Sequence, residues 1–413
     1  MAGNHFINGL NLPCPSVLMS TSQPMPAKTP RVLLALGWYD YRLHSGIEKY
    51  AQEHHWHLCS DVTRERVVPW GWEGDGILAW LGIGDDLAEF VLDAKKPTVD
   101  FSFRRPQLAF PRVLVDHHAC GQLAADHFLS RGFKNFAFYS DRDNWAFEEG
   151  GTAFTQAITA SGHTCQWFRW HLSPAYNTGL YQWRRKRDWL AAELRHASKP
   201  LALFAASDDH ALEVLETCER LNLQVPDQVS IVGMDNSLLA VASMTTPISS
   251  INTNLELVGY RGAEILDQLM RGRTVAPDPV RIPPLELIVR KSSDSLMIPH
   301  PGIARSLRHI WSHCHKPLTV NDLAGIASMS VRSFYQAFTQ HVGRPPGEEI
   351  HRVRIKRAKK MLHETGHKLE SIASQCGYGS ANSFWVAFKM STGMTPAQYR
   401  KELGPNVLRQ ISK

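Results

Sequence analysis

With 413 residues, the chain is long enough for two or three domains that each bury a core. Its hydrophobic (43%) and charged (20%) fractions are ordinary for a globular protein. No run approaches the ~18 consecutive apolar residues of a membrane span. The seven cysteines are scattered and form no Cys-x-x-Cys pair, which argues against a disulfide framework. Charge is uneven: residues 301–413 hold 17 Lys and Arg against 6 Asp and Glu, a net of +11, whereas the remaining residues hold 28 against 33 and carry −5. A basic end on a mildly acidic body favours a polyanionic partner for the C-terminal part alone.

Residues 1–30 are polar, contain five prolines and show no periodicity. They lack the basic start and the continuous apolar core of a secretory signal. We expect a disordered tail, or a chain start placed too early, and a protein of the reducing cytoplasm. Residues 402–413 are expected to form a second tail.

From residue 31 to about residue 233, short apolar strands alternate with amphipathic helices. The strands carry no polar alternation, which is typical of strands buried on both faces. The expected strands are Val32–Leu36, Gly76–Trp80, Thr98–Phe101, Arg112–Asp116, Phe136–Tyr139, Leu201–Ala205 and Val229–Gly233. Repeated β-α units predict an α/β fold with parallel sheets, whose ligands lie beyond the carboxyl ends of the strands.

Three segments of this body match a known pattern. They are Gly74–Leu78, Ser207–Leu212 continuing into Val225–Asn236, and Thr246–Asn252. On these residues the body, from about residue 31 to residue 293, resembles the periplasmic-binding-protein-like effector domain of lactose- and galactose-type repressors. The resemblance implies two lobes joined by several crossings: residues 31–134 with 250–275, and residues 135–249 with 278–291.

A sugar cleft needs polar groups that grip hydroxyls and aromatic rings that face the apolar side of the sugar. The resemblance places a sugar-gripping carboxylate at Asp235, just after an expected strand. The other candidates near strand ends are Tyr39, Asp40, Arg42, Phe103, Trp145, Ser207 and Asp208. Asp208 has an alternative role as the cap of a helix beginning at Asp209.

One position departs from the family pattern. A sugar-contacting Arg commonly stands three residues before a small-aromatic pair, which here is Ala153-Phe154, and Gly150 occupies that position. Losing a guanidinium removes about five hydrogen-bond donors. Either the ligand is not a typical pentose, or Arg142 in the preceding loop replaces the missing group.

After a linker expected over residues 294–302, residues 303–401 contain one supersecondary unit twice. Each copy is a short helix, a three-residue break and a second helix that carries two phenylalanines four positions apart. These pairs are Phe334 with Phe338 and Phe384 with Phe388. Each pair lies on one helical face and can pack on the preceding helix, which leaves the opposite face free for a DNA major groove. A basic helix expected over Glu348–Leu362 would hold the two units at a fixed distance.

Three further motifs extend this pattern. They are Arg354-x-x-x-Ala358-x-x-x-Leu362, Ile372-Ala373 before Cys376-Gly377-Tyr378, and Phe388-Lys389 before Gly393-Met394-Thr395-Pro396. On these residues the stretch from about residue 303 to residue 401 resembles the all-α C-terminal domain of the AraC family of transcription regulators. The resemblance implies sequence-specific DNA binding and activation through contact with RNA polymerase. A repressor-type sensor fused to this domain is similar to the xylose-operon regulators.

The DNA contacts are predicted from the outward helix faces. The expected base-reading residues are Arg332, Tyr335, Gln336, Asn382 and Trp385. The expected phosphate contacts are Arg352, Lys356, Lys359, Lys360 and Lys389. Phosphate contacts position a protein on DNA, whereas base contacts specify the sequence.

Neither a cofactor nor a metal is expected. Adjacent ligand-type residues in Asp116–His118 and His313–His315 diverge along a strand or helix, and the chain has no phosphate loop and no nucleophile elbow. We therefore expect a homodimeric regulator that binds double-stranded DNA and a small sugar or polyol such as xylose, at the bacterial nucleoid. The alternatives are a solute-binding protein without DNA affinity and an enzyme that turns over a sugar.

Overall fold

The computed structural model describes residues 29–403 apart from 66, 83, 177–178, 180–181, 238–244 and 277. Predictions for residues 1–28 and 404–413 therefore lie outside the described residues. The predicted fold class is confirmed, with an α/β body followed by a helical C-terminal part. None of the described helices is both long enough and apolar enough to span a bilayer.

Strands and helices alternate through the α/β body, as the apolar runs predict. The strands are β1 (Arg31–Leu36), β2 (His57–Cys59), β3 (Gly76–Trp80), β4 (Thr98–Asp100), β5 (Val113–Val115), β6 (Asn135–Ser140), β7 (Cys165–Arg169), β8 (Leu201–Ala205), β9 (Val229–Met234), β10 (Ser249–Asn252), β11 (Val280–Ile282) and β12 (Glu286–Ile288). The helices are α1 (Tyr41–Glu53), α2 (Asp61–Glu65), α3 (Asp86–Ala94), α4 (His117–Leu129), α5 (Trp145–Ala160), α6 (Gln182–His196), α7 (Asp208–Arg220) and α8 (Leu255–Met270).

The first lobe is built on a parallel sheet with the strand order β2-β1-β3-β4. The pair β5-β11 continues this sheet, because Asp100 at the end of β4 bridges to Arg112 just before β5. Helices α1 and α8 cover one face and approach each other closely. A Cβ atom on Gly46 would meet the backbone oxygen of Glu256 at 1.8 Å, so only glycine fits this crossing.

The second lobe contains a six-stranded sheet with the order β12-β10-β9-β8-β6-β7. All its neighbouring strands are parallel except β10 and β12. Strand β8 is buried along its whole length, and Phe204 on it packs against Phe138 of β6 with ring centroids 5.3 Å apart. The carboxyl ends of β6, β8 and β9 therefore share one edge, where a ligand site is expected.

The crossings between the lobes differ in detail from the predicted ones. Strand β10 pairs with β9 and so belongs to the second lobe, whereas β11 pairs with β5 and belongs to the first. The last crossing thus falls between β11 and β12, and not before residue 278. The sequence of a strand of three or four residues does not reveal which sheet the strand joins, because tertiary contacts decide the pairing.

The C-terminal part consists of helices that form two helix-turn-helix units. They are α9 (Pro301–His313), α10 (Val320–Ala327), α11 (Val331–Val342), α12 (Pro346–Glu364), α13 (Leu369–Gln375), α14 (Ala381–Thr392) and α15 (Pro396–Leu403). Helices α10 and α11 form the first unit, α13 and α14 form the second, and α12 joins them. The predicted phenylalanine pairs of α11 and α14 are buried, with exposures of 0–1%.

The segment between the two parts is anchored at both ends. A 3₁₀ turn at Lys291–Ser293 is fixed in the second lobe, since the Ser292 hydroxyl donates to the Ile231 oxygen at 2.7 Å and the Ser293 hydroxyl donates to Ser249 at 2.8 Å. Further along, Ile298 is buried with the helices of the first unit. The predicted linker is therefore packed against both of its neighbours.

Candidate effector cleft and DNA-binding surface

The carboxyl ends of β1 and β9 face each other across the cleft between the lobes, and Arg42 spans it. Asp40 caps α1 and holds the Arg42 guanidinium through hydrogen bonds of 3.0 and 2.7 Å. On the other side, Arg42 Nη1 donates to the backbone oxygens of Asp235 and Asn236. The structure thus brings together three of the predicted cleft residues, one pair from the first lobe and one residue from the second.

Asp235 lies in an unusual backbone conformation directly after β9. Its φ of 98° is in the left-handed region, and its amide donates to the Ile251 oxygen at 2.9 Å. Such a conformation in a non-glycine residue is costly and is typical of functional sites. Burial raises the pKa of the Asp235 carboxyl to about 6, while the nearby charge of Arg42 opposes the rise. Above that pH, Asp235 offers hydrogen-bond acceptors beside the donors of Arg42.

Aromatic rings from both lobes meet deeper in the cleft. Phe103 and His117 come from the first lobe, and their rings contact Trp145 of the second edge-on, with centroids 5.9 and 5.2 Å away. Burial lowers the pKa of His117 to about 3, so its imidazole is neutral, and its Nδ1 has no hydrogen-bond partner among the described residues. We add His117 to the candidate ligand contacts. In the sequence, His117 stood out only as part of the Asp116–His118 motif, which was weighed as a metal site.

Ser207 belongs to a buried network that the sequence does not reveal. It caps α7, and its hydroxyl lies 2.6 Å from Nδ1 of His210, whose Nε2 lies 2.8 Å from Asp141. Although burial alone would raise the pKa of Asp141, hydrogen bonds from His210 and Arg142 hold it well below its usual range. Because a carboxylate only accepts, Nε2 of His210 donates to Asp141, which fixes the orientation of the ring beside Ser207. The Ser207 hydroxyl, which has two lone pairs, can accept a hydrogen bond from a ligand.

The structure also shows the surroundings of three other candidate residues, Asp208, Tyr39 and Arg142. Helix α7 begins at Asp208 itself and is capped by Ser207, and the buried Asp208 carboxylate instead accepts from the Ser237 amide at 2.7 Å. Tyr39 is 47% exposed, and its hydroxyl lies 3.0 Å from Nδ1 of His44. Arg142 is exposed and bonded to Asp141, so the guanidinium inside the cleft is that of Arg42.

The predicted base-reading residues lie on the exposed faces of the two second helices. Arg332, Tyr335 and Gln336 are exposed on α11, opposite its buried phenylalanines. Asn382 and Trp385 are exposed on α14 in the same way. This is the face that a helix-turn-helix unit presents to the major groove.

The predicted phosphate contacts fall into two groups. Arg352 is bonded twice to the fully buried Glu349, at 2.8 and 2.7 Å, so its charge is compensated inside the protein. Lys356 donates to the Leu287 oxygen of β12, and Lys360 pairs with Glu286 of the same strand at 2.8 Å. In this arrangement all three side chains are therefore bonded within the protein, and that of Lys360 is also 47% exposed. Lys389 is exposed, 5.0 Å above the Trp385 ring, and Lys359 lies 6.0 Å from the ring of Tyr399.

Contacts between the sensor and the C-terminal domain centre on Trp311 of α9. The Arg131 guanidinium stacks 4.5 Å above its ring, and its indole N–H donates to Glu349 at 2.9 Å. Beside it, the Met297 amide donates to the Arg131 oxygen at 2.7 Å. Burial, with like charges nearby, lowers the pKa of Lys356 to about 8. The sequence could not reveal this interface, since it depends on how two folded domains dock.

Two family models match the chain, one for each part. Residues 125–293 match the periplasmic binding protein-like domain, and residues 323–402 match the helix-turn-helix domain. A lobed sensor joined to paired helix-turn-helix units defines a DNA-binding transcription regulator with a ligand-sensing domain, and not an enzyme. The chain thus contains a periplasmic-binding-protein-like domain and an AraC-type helix-turn-helix domain, and it is homologous to xylose operon regulatory proteins.

Individual relatives agree with this assignment. The xylose operon regulatory protein of Escherichia coli K12 is 25% identical over 377 residues, which cover 88% of this chain and 94% of the relative. Its counterpart from Haemophilus influenzae is 26% identical over 296 residues, or 70% of this chain and 75% of the relative. Among solved structures, that of a xylose-binding transcription activator covers 92% of this chain and 100% of its own, with a TM-score of 0.58 and 23% identity, and supports the fold.

Proposed function

We propose that the chain is a bacterial, cytoplasmic transcription activator whose two lobes close on a small sugar or polyol. Closure changes how the helix-turn-helix units are presented to DNA. The observation that carries the proposal is a continuous path of contacts from the cleft to α12. A ligand shifts such an equilibrium only through its different affinity for the open and closed states, so the residues that meet across the cleft decide the response.

The path starts where Arg42 meets Asn236 and passes through the second lobe. Arg290 donates to the Asn236 side chain at 2.7 Å and to the Ile248 oxygen at 2.8 Å. Its own backbone is held by Ser249, next to the anchored 3₁₀ turn. Strand β12, just before Arg290, is the strand that Lys356 and Lys360 of α12 contact. A movement of the lobes is therefore transmitted to the helix that joins both DNA-binding units.

The chemistry of the cleft suits a polyhydroxylated ligand. Asp235 and Ser207 supply acceptors, Arg42 supplies donors, and Phe103 with Trp145 supplies apolar faces. Xylose is the first sugar to test, because the relatives are regulators of xylose operons. A thermal-shift screen of the full chain over pentoses, hexoses and polyols would identify the effector. A screen in which no sugar or polyol stabilises the chain would contradict the proposal.

The activity is tested by DNA binding and transcription together. Operator duplexes selected from a random library are titrated with the full chain, with and without the effector, and read by fluorescence anisotropy. Transcription from the same sites with purified RNA polymerase tests activation, which we propose by analogy with the family. We also propose a homodimer, since symmetric pairing presents two reading modules to DNA, and sedimentation velocity measures it.

Replacing Lys356 by methionine is expected to weaken the effector response. The substitution keeps the apolar stem but removes the hydrogen bond to β12, so closure of the lobes is less well transmitted to α12. Coupling between sites is typically about 1–3 kcal/mol, and we expect the effector-induced change in DNA affinity to shrink about fivefold. Lys359→Met, on the same helix without a contact to β12, is the matched control. Equal responses in the two variants would contradict this transmission path.

Arg332→Ala is expected to relax the base preference at one operator position. A bidentate contact to guanine is worth about 1–3 kcal/mol of discrimination, so preference there should fall about tenfold. Lys389→Ala, which we propose removes a phosphate contact, should weaken all duplexes alike and flatten the salt dependence. A repeated selection with each variant measures both effects. Uniform losses across sequences for Arg332→Ala would remove it from the base-reading set.

A further inference from the structure

The second helices of the two units, α11 and α14, have the same caps and the same buried positions, 50 residues apart in the sequence. Each begins after a serine whose hydroxyl accepts from the amide three residues on, buries two phenylalanines, and ends at a glycine with a left-handed backbone. The equivalent pairs are Ser330 and Ser380, Phe334 and Phe384, Phe338 and Phe388, and Gly343 and Gly393. Because these features agree, residues 50 positions apart occupy equivalent positions on the two helices.

The two helices differ in the chemistry of their outward faces. Three of the outward pairs lie along one stripe of the helix: Arg332 with Asn382, Gln336 with Val386, and Gln340 with Met390. On α11 all three side chains carry hydrogen-bonding groups. On α14 the last two are aliphatic, one helical turn apart, and they are 44% and 84% exposed. Exposed apolar side chains on an outward helix face indicate a partner surface.

We infer that α14 reads thymine through its C5-methyl group, with Val386 and Met390 as the contacts, while α11 reads bases by hydrogen bonds. Thymine is the only base that offers an apolar group in the major groove. The exposed polar residues Asn382 and Lys389 lie on the same helix beside this pair, in a domain of net +11, which favours nucleic acid as the occupant over a protein surface. The second half of the operator then contains adjacent thymines, and its recognition depends on methyl groups.

The inference rests on DNA binding by the helix-turn-helix units and not on the identity of the effector. Arg332→Ala first locates the segment that α11 reads, because only that segment loses its base preference. The segment about one helical turn away is the one that α14 reads. Operators are then synthesised with deoxyuridine in place of thymidine in one segment or the other. This replacement removes methyl groups and leaves every hydrogen bond intact.

We expect deoxyuridine in the α14 segment to reduce the affinity of the full chain about fourfold per contacted methyl group, since a buried CH₂-sized group contributes about 0.8 kcal/mol. The same replacement in the α11 segment should leave affinity unchanged. Val386→Gln combined with Met390→Gln copies the α11 face and should bind thymidine and deoxyuridine duplexes equally, with selection shifted towards adenine. Both positions are exposed, so folding is preserved, and a circular dichroism melt checks this.

Three results would overturn the inference. The first is an α14 segment selected without thymine, and the second is equal affinity for thymidine and deoxyuridine there. The third is a Val386→Gln/Met390→Gln variant that binds all duplexes as the natural chain does but loses activation by RNA polymerase, which would assign this face to a protein partner. In each case DNA binding through α11 would persist, so the proposed function would survive.

Discussion

Asp235→Ala is expected to abolish the response to the effector while basal DNA binding persists. The carboxylate lies at the meeting point of the lobes, beside the Arg42 guanidinium, and supplies charged acceptors to ligand hydroxyls. Hydrogen bonds to a charged group contribute about 1.5–3 kcal/mol each, so losing two of them lowers effector affinity about 100-fold or more. Isothermal titration with the effector found by thermal shift measures this loss, and anisotropy with an operator duplex measures basal DNA binding.

The matched control for this variant is Asp227→Ala, which removes an exposed carboxylate from the same lobe and should change neither quantity. The pH dependence gives a second test. Because burial raises the pKa of Asp235 to about 6, the free protein takes up a proton there as the pH falls through that value. Effector affinity should therefore drop below about pH 6 in the natural chain, and Asp235→Asn should lose that dependence. Unchanged affinity in Asp235→Ala would place the effector elsewhere.

Local patterns explain why so much of the fold was predictable. The apolar runs of β1, β3, β8 and β9 have no alternation because both faces of their sheets are covered, and that property is visible in sequence. The phenylalanine pairs of α11 and α14 are visible for the same reason, since a period of four residues fixes one helix face. The carboxyl ends of β1 and β9 face each other across the cleft, which explains why Asp40, Arg42 and Asp235 meet.

Features that depend on docking could not be predicted. Lys356 and Lys360 look like phosphate contacts because a basic helix says nothing about which of its sides a second domain covers. The network of Ser207, His210 and Asp141 joins two strand ends 66 residues apart in sequence, and no spacing rule identifies it. The capping role considered as an alternative for Asp208 belongs to Ser207, because the helix starts one residue earlier than expected.

Glu349→Ala is expected to destabilise the DNA-binding domain by about 3–5 kcal/mol, because it leaves the Arg352 guanidinium partly buried without its partner. Glu349 is fully buried at the start of α12, where it accepts from Arg352 and from Trp311. Calorimetry of the full chain measures the loss as a lower transition temperature of the unit that carries α12, with loss of operator binding at the same temperature. Glu348→Ala, its exposed neighbour in the same helical turn, is the matched control and should melt as the natural chain does.

Two further measurements separate the buried ion pair from simple packing at Glu349. Burial would raise the pKa of this carboxyl, but the hydrogen bonds and charge of Arg352 outweigh it and hold the pKa below the usual value. The stability that the pair contributes is thus complete above the ordinary glutamate pKa of about 4.3 and is lost as the pH falls through the lower folded value. Glu349→Ala should lose this acid-dependent part of its stability. Adding Arg352→Ala to Glu349→Ala should recover part of the stability, because no unpaired charge is then left behind. If Arg352→Ala lowers stability by the same amount in the Glu349→Ala variant as in the natural chain, the two side chains contribute through packing alone.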